Sequence, residues 1–390
     1  LGKFRRKKLI AVTARAPYPL NSGGRIATYN TLISLSKNYS IKLYIVTDED
    51  LNIETITHLK NKFDFIFIYK KSKLLALIDS IRFLLLAKPM QLGYFHSNSL
   101  KKTIESDNNL SSDYFIGFVL RTANYGQKFK CRRFIYSIDS MYLNYRNSVK
   151  KTKNIIWKSI YKVESLLLKK FERQVVQSFD KVSYVNPNEA KFWSKFGDVK
   201  CIPHGFYKNE NDKISVSSEY KNSIIFIGRM DYRPNIIAVE WFVKNVIDFL
   251  HRDINLIIIG GNAKASLVNK LSSKRIKFVG YIKNPDSMIK SSLCSVAPML
   301  TGGGLQTKLI KSFSLGCIVV MSRLASKPLL NFKNHYHGFI SESPQEYADV
   351  INDIFLKREK YLSIKKNATQ LFEKNYENLI IEKAIIKYFI

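Results

Sequence analysis

Three consecutive glycines, Gly302, Gly303 and Gly304, separate an apolar run ending at Ala297 from a segment that opens with Thr307 and Lys308. Without Cβ atoms the backbone there can approach a ligand closely. A helix starting near Thr307 would turn its unpaired N–H groups and positive dipole end to the same spot, and Lys308 adds a full charge. Those are the parts a phosphate group needs. The plain alternative is a glycine-rich turn between strand and helix, and the loop in isolation does not choose between the two. A second pair, Gly23 and Gly24, follows the apolar run Leu9 to Thr13 at the mouth of a helix for which Asn21 or Ser22 supplies a cap. Its spacing is not that of a dinucleotide fingerprint. Asp139 and Ser140 stand where a strand over Arg133 to Ile138 ends, a position suited either to a reactive carboxylate or to a helix cap.

The elements that must hold these residues alternate. Strands are expected at Leu9–Thr13, Ile41–Val46, Phe63–Tyr69, Tyr114–Leu120 and Lys181–Val185, with helical spacing between them. The continuous apolar runs are those of parallel strands buried on both faces, and the fold class is α/β, doubly wound. Ile202–Gly205 (IPHG) reads as a hinge and Lys208–Lys221 as a polar, turn-rich link. The alternation then restarts at Ser223–Gly228. Ligands in such sheets bind beyond the carboxyl ends of strands, where the glycine loops fall. Leu74–Lys88 is an apolar helix expected to pack in a core, with surface docking as the alternative. Arg146–Arg173 reads as one basic amphipathic helix, suited to an anionic membrane or simply to a solvated face.

Composition narrows the partners. The chain has 390 residues, enough for two cores, and 46% of them are hydrophobic, which argues against disorder. Lys and Arg total 63 against 31 Asp and Glu, a net charge of +32 that points to a polyanionic partner. Cys131, Cys201, Cys294 and Cys317 are scattered without zinc spacing and read as reduced thiols. No apolar run approaches a membrane span, and the apolar stretch near residue 9 is too short for a signal peptide, so a cytoplasmic, membrane-peripheral location is expected. No nucleic-acid-binding pattern accompanies the charge.

FIGRMDYRPNIIAVEWF, then Gly280-Tyr281-Ile282, then the stretch from Pro298 to Val320 resemble the glycosyl transferases group 1 family (glycosyltransferase family 4). ARAPYPLNSGGRIATYN and EKNYENLIIEKAIIKYF resemble that family's first loop and closing helix, so the likeness runs from end to end. It implies the GT-B fold, two Rossmann-like domains facing each other across a nucleotide-sugar cleft. The implied domains are an acceptor-binding one over 1–203, a donor-binding one over 204–370, and a helix over 371–390 packing back toward the first. The implied activity is that of a retaining glycosyltransferase of hexosyltransferase type, without cofactor or metal. It would move sugar from a nucleotide-sugar donor to a glycan or polyprenyl-diphosphate-linked acceptor in bacterial surface polysaccharide synthesis.

On this resemblance Arg229 clamps the donor diphosphate and Lys308 completes the charge, with Asp139 as the third catalytic candidate. Donor contacts fall to Gly23, Gly24, Arg233, Tyr281, Ile282, Gly302, Gly303, Gly304, Leu305, Thr307 and Lys311. Lys311 stands where relatives carry a ribose-binding Glu and is expected to reach a donor phosphate instead. His204 reads as a hinge residue rather than a base. The rival readings are a catalytically silent scaffold in a glycan-assembly complex and a GT-B sugar-nucleotide epimerase.

Overall fold

β8 (Ser223–Ile227) turns Ile224 and Phe226 into one apolar cluster and Ile225 into another, so the sheet it belongs to is covered on both faces. The computed structural model describes residues 6–20, 22–106, 111–207, 214–302 and 304–389. They form two units, one of residues 1–205 with 381–390, the other of Phe206–Ile380. The first boundary falls two residues beyond the expected 203, and residues 371–380 stay with the second unit. The reason is packing: Leu371, Phe372 and Tyr376 are core residues of that unit.

The first unit's sheet runs in the order β3-β2-β1-β4-β5-β6-β7, all parallel. Its strands are β1 (Lys7–Ala14), β2 (Tyr39–Thr47), β3 (Phe65–Lys70), β4 (Tyr114–Phe118), β5 (Arg132–Ser137), β6 (Lys181–Tyr184) and β7 (Val199–Cys201). Between them run α1 (Gly23–Ser36), α2 (Ile53–Lys60), α3 (Lys73–Leu85), α4 (Met90–Tyr94), α5 (Asn98–Ile104), α6 (Ala123–Gly126), α7 (Met141–Lys151), α8 (Ile155–Ser178) and α9 (Pro187–Trp193). Ser22 is the N-cap residue of α1 but makes no side-chain cap bond, and Asn21 lies outside the described residues.

Two expectations need correction here. The basic stretch 146–173 is two helices, not one. The chain breaks at Thr152–Asn154, and Asn154 caps α8 by accepting from Trp157 N at 3.1 Å. α3 is not core: it buries only Ala76, Ser80 and Phe83 and leaves Leu74, Leu75, Leu77, Ile78, Ile81 and Leu85 exposed. The segment from Ile381 completes this unit. Tyr388 Oη donates to the carbonyls of Val182 (3.0 Å) and Asp198 (2.7 Å), Phe389 packs on Phe134, and Lys37 pairs with Glu382 at 2.7 Å.

The second unit's sheet has the order β10-β9-β8-β11-β12-β13, again parallel. Besides β8 it contains β9 (Asn255–Ile259), β10 (Ile276–Gly280), β11 (Cys294–Ala297), β12 (Val319–Met321) and β13 (Phe339–Ile340). Its helices are α10 (Arg233–Asn245), α11 (Ala265–Leu271), α12 (Asp286–Ser291), α13 (Thr307–Ser314), α14 (Arg323–Ser326), α15 (Pro344–Leu356) and α16 (Leu362–Asn375), with α17 starting at Asn378. Each sheet opens with strand order 3-2-1-4-5-6, so each reverses direction between its first and fourth strands. That reversal leaves a crevice at the strands' carboxyl ends.

Candidate active site

In the second unit the reversal lies between β8 and β11, and the glycine loop and Gly228-Arg229 are the segments that leave those two strands. Asn235, which sequence reasoning passed over, holds the two together. Its Nδ2 donates to the Arg229 carbonyl at 3.0 Å, and its Oδ1 accepts from Lys308 Nζ at 2.9 Å. Gly228 is required by this arrangement, because a Cβ there would lie 2.5 Å from Asn235 Nδ2.

Lys308 is only 8% exposed. Its ammonium sits 4.1 Å over the Phe226 ring and 3.7 Å from Met299 Sδ. Burial without a carboxylate pushes its pKa down to about 7. Such a group is one that an arriving anion would recharge.

Arg229 lies differently. Its guanidinium grips Asp231 through Nε (3.0 Å) and Nη2 (2.6 Å), and Asn262 adds a third hydrogen bond to that carboxylate at 3.1 Å. These donors hold the Asp231 carboxyl down at about 2. Arg229 itself is exposed, and Arg233 opens α10. Neither α10 nor α13 has a side-chain N-cap bond or an acidic residue in its first turn. Helices ordinarily place acids there, against the positive end of the dipole. Here each first turn carries a cation instead, Arg233 in one and Lys308 in the other. The arrangement is built for a negative ligand.

Gly302 and Gly304 have φ of +97° and +79°, a conformation other residues rarely adopt, so their glycines are structural requirements of the loop. Gly303 lies outside the described residues. Leu305 and Thr307 are partly exposed beside them. Tyr281 is 78% exposed after the turn at Gly280 and offers a free ring, whereas Ile282 leans into the cluster around Ile225 and Ile257. Lys311 is placed elsewhere than expected. Its Nζ bonds both oxygens of the buried Asp286, at 2.7 and 2.8 Å, so its charge is committed to α12 rather than to a phosphate.

In the first unit Gly24, Arg25, Thr28, Arg15, Thr13 and Arg121 border a pocket of about 180 Å³ between the ends of β1 and β4. Gly23 opens α1 beside it. The buried Thr13 hydroxyl has no partner among the described residues. Here the cations are matched by acids. Arg15 lies 3.5 Å from Asp48 and 3.9 Å from Glu49, and Arg25 is bonded to Glu49. Asp139 accepts from Asn144 Nδ2 at 2.7 Å, and its charge and that of Arg121 support each other. Burial raises its pKa and Arg121 opposes that rise. It is not the helix cap; Ser140 is, accepting from Leu143 N.

Two further carboxyls missed in the sequence converge on Ser140. Glu189 accepts from Ser140 N (2.6 Å), while Glu172 accepts from Ser140 Oγ (3.1 Å), Tyr142 N (3.0 Å) and Tyr184 Oη (2.7 Å). Burial lifts Glu172 to about 7 and Glu189 to about 8. His204 is buried, and desolvation lowers its imidazole to about 4, so it is neutral at pH 7. Among the described residues no three His, Cys, Asp or Glu side chains gather as a metal ion needs, and no helix is long and apolar enough to cross a membrane.

The segment carrying β8, Arg229, α10, the glycine loop and Lys308 is the part that matches a family model. Residues 221–356 fit that of glycosyl transferases group 1. That segment carries the family's pattern. This glycosyltransferase is 21% identical over 399 residues to an uncharacterized 44.6 kDa protein in the cps region of Klebsiella pneumoniae, covering 97% of this chain and 99% of the relative. Its fold is GT-B. Anabaena HepE in complex with UDP and glucose superimposes with a TM-score of 0.64 at 12% identity, over 97% of this chain and 98% of the other. Sucrose-phosphate synthase from Thermosynechococcus elongatus does so with 0.67 at 12% identity, over 98% of each chain.

Proposed function

We propose that this glycosyltransferase moves a sugar, with retention at the anomeric carbon and without a metal, from a nucleotide-sugar donor held by the second unit to a glycan or polyprenyl-diphosphate-linked acceptor held by the first. The observation that carries the reading is the β8–β11 crevice, where two uncapped helix starts carry Arg233 and Lys308 and a glycine loop lies beside Arg229. As the glycosidic bond breaks, negative charge grows on the leaving nucleoside diphosphate. Arg229 suits it with a planar fork, and Lys308, recharged as the anion arrives, adds a second cation from a site where water screens little. Tyr281 offers its ring to the nucleobase. The HepE structure, with UDP and glucose in a GT-B protein, supports a nucleotide-sugar donor. The cps-region relative supports a role in capsule-type surface polysaccharide, made at the inner face of the cytoplasmic membrane, where the basic excess would hold the enzyme near its acceptor.

The test is a thermal-shift screen of UDP, GDP, CDP and nucleotide sugars, with and without EDTA, followed by NMR of the anomeric configuration of the product. A ligand at ~100 times its dissociation constant stabilises by roughly 2.7 kcal/mol, enough to move the melting curve visibly. A folded protein that responds to no nucleotide would instead be the silent scaffold, and loss of the shift in EDTA would remove the metal-free reading.

A further inference from the structure

α3 is apolar on nearly every side, a composition that normally means a buried helix. Yet Leu74, Leu77, Ile78, Ile81 and Leu85 are 68%, 52%, 51%, 49% and 82% exposed. The helix is held firmly in that pose. Lys71 Nζ, at its start, bonds Asp79 (2.7 Å) and the carbonyls of Gly93 (2.9 Å) and His96 (2.7 Å). At Gly93 a Cβ would stand 2.4 Å from the Asp79 carbonyl oxygen, so α3 and α4 touch backbone to backbone. α8 is tied to the same layer, its Glu164 accepting from Met90 N at 2.9 Å and Gln91 N at 3.1 Å. α3 therefore presents a fixed apolar ridge.

Where the ridge ends, a cavity of about 600 Å³ opens between α3 and α8. Arg82, Lys88, Lys101 and Lys170 line it, and no carboxylate does. Lys88 is delivered there by a tight helix exit in which Lys88 N bonds Phe83 O (2.8 Å), Ala87 N bonds Leu84 O (2.9 Å) and Ala87 takes φ +53°. Ile155, Ile156 and Trp157, at the start of α8, and Leu166, beside the cavity-lining Leu167, are further exposed apolar side chains of that helix. Lys101 has Glu105 at 4.0 Å, yet four cations with no carboxylate in the lining, beside exposed hydrocarbon, match an amphiphile with an anionic head. A second copy of the chain is a poor occupant, because it would bring another +32 charge to the same surface.

We infer that this face of the first unit docks on an anionic bilayer, with the α3 ridge entering the lipid interface and the cavity taking a lipid phosphate headgroup. This deepens the membrane part of the function proposed above and is independent of the sugar chemistry. It also assigns the contact to α3 and the cavity rather than to the basic stretch around Lys150 and Lys153.

The experiment is co-sedimentation of the full chain with vesicles of phosphatidylcholine alone or mixed with phosphatidylglycerol, with the UDP thermal shift recorded in parallel for every variant. The mixed vesicles should bind the wild type and the neutral ones should not. Leu74→Ser/Leu77→Ser/Ile81→Ser and, separately, Arg82→Gln/Lys170→Gln should each weaken binding by about tenfold or more, while Lys150→Glu/Lys153→Glu has the smaller effect. Leu74, Leu77 and Ile81 are each about half exposed or more, so the ridge variant should keep its circular dichroism and its melting temperature. Inorganic pyrophosphate should fail to displace the protein, since the hydrocarbon contact remains.

Equal binding to neutral vesicles overturns the proposal, and so does binding unchanged in both the ridge and the cavity variants. Displacement by pyrophosphate with a neutral ridge variant marks a free-phosphate site instead, and a dimer that the ridge variant dissolves marks a second copy. Vesicle binding retained without any nucleotide response sinks the transferase reading alone.

Discussion

The two sheets reverse direction in the same way, and the crevices at their reversals differ in how charge is balanced. In the first unit the arginines at the β1–β4 end have acids near them: Arg15 lies by Asp48 and Glu49, Arg25 pairs with Glu49, and the charge of Asp139 supports that of Arg121 without an ion pair between them. In the second, Arg229 has Asp231, but Lys308 is held by an amide, a ring and a thioether, and Arg233 sits on an uncapped helix start. A balanced crevice suits a ligand recognised through hydroxyls. An unbalanced one suits a ligand that brings its own negative charge. On the function proposed, one architecture would serve two substrates through the partners of its cations rather than through their number.

The largest test of that contrast removes one cation from each side. Lys308→Met keeps the volume and should lower turnover on a nucleotide sugar by on the order of a hundredfold or more, as losing one group aimed at developing charge does, with the fold intact. Arg25→Met should cost about tenfold at most, because it also frees Glu49. Equal losses in initial-rate assays would erase the distinction.

A second test lies one helical turn from Lys308. The same unit balances its charge where no ligand is expected, since Lys311 answers the buried Asp286. Lys311→Glu, which would restore the acid of the family pattern, should here set two carboxylates together and lower stability by about 2 kcal/mol in denaturant titration. That figure sits below the range for fully buried pairs because a third of the Lys311 side chain stays in water. Adding Asp286→Lys should recover much of the loss; no recovery would mean the pair is incidental.

Third, Asn235→Asp imports the first unit's pattern into the second. The new carboxylate would lift the Lys308 pKa and neutralise its field, weakening nucleoside diphosphate binding by about tenfold in calorimetry. In the wild type, binding above pH 7 should take up protons as Lys308 recharges, seen as a buffer-dependent enthalpy, and the variant should lose that dependence.

The smallest effect belongs to the first unit. Glu172 and Glu189 have folded pKa values of about 7 and 8, above the ordinary 4.5. The folded state therefore holds more protons than the unfolded one between about pH 5 and 8, and stability falls as pH rises through that window. Hydrogen exchange of the α7 and α8 amides should speed up accordingly, and Glu172→Gln should flatten the profile.

Much of this was legible in the sequence because it depends on neighbours along the chain. Continuous apolar runs gave β1, β8 and β11, and a strand followed by Gly-Arg or by three glycines located the crevice. What escaped depends on partners far apart. Asn235 meets Lys308 across 73 residues, Lys311 meets Asp286 across 25, and Glu172 meets Ser140 across 32. No local period encodes such pairs. α3 escaped for the opposite reason. Its residues read as core, and only the missing layer above it shows that they are not.

The return of the chain to the first unit has a consequence for how the protein is made. The residues that pack on Phe134 and bond the backbone of β6 are Tyr388 and Phe389, synthesised after the whole of Phe206–Ile380. At the ribosome's pace the interval is on the order of ten to thirty seconds. For that time the nascent first unit carries an uncovered patch around Tyr114, Phe134 and Val182 while its neighbour downstream emerges and folds. Translation speed over the second unit, and chaperones that shield that patch, therefore bear on the yield of a unit whose covering residues are made only after its neighbour.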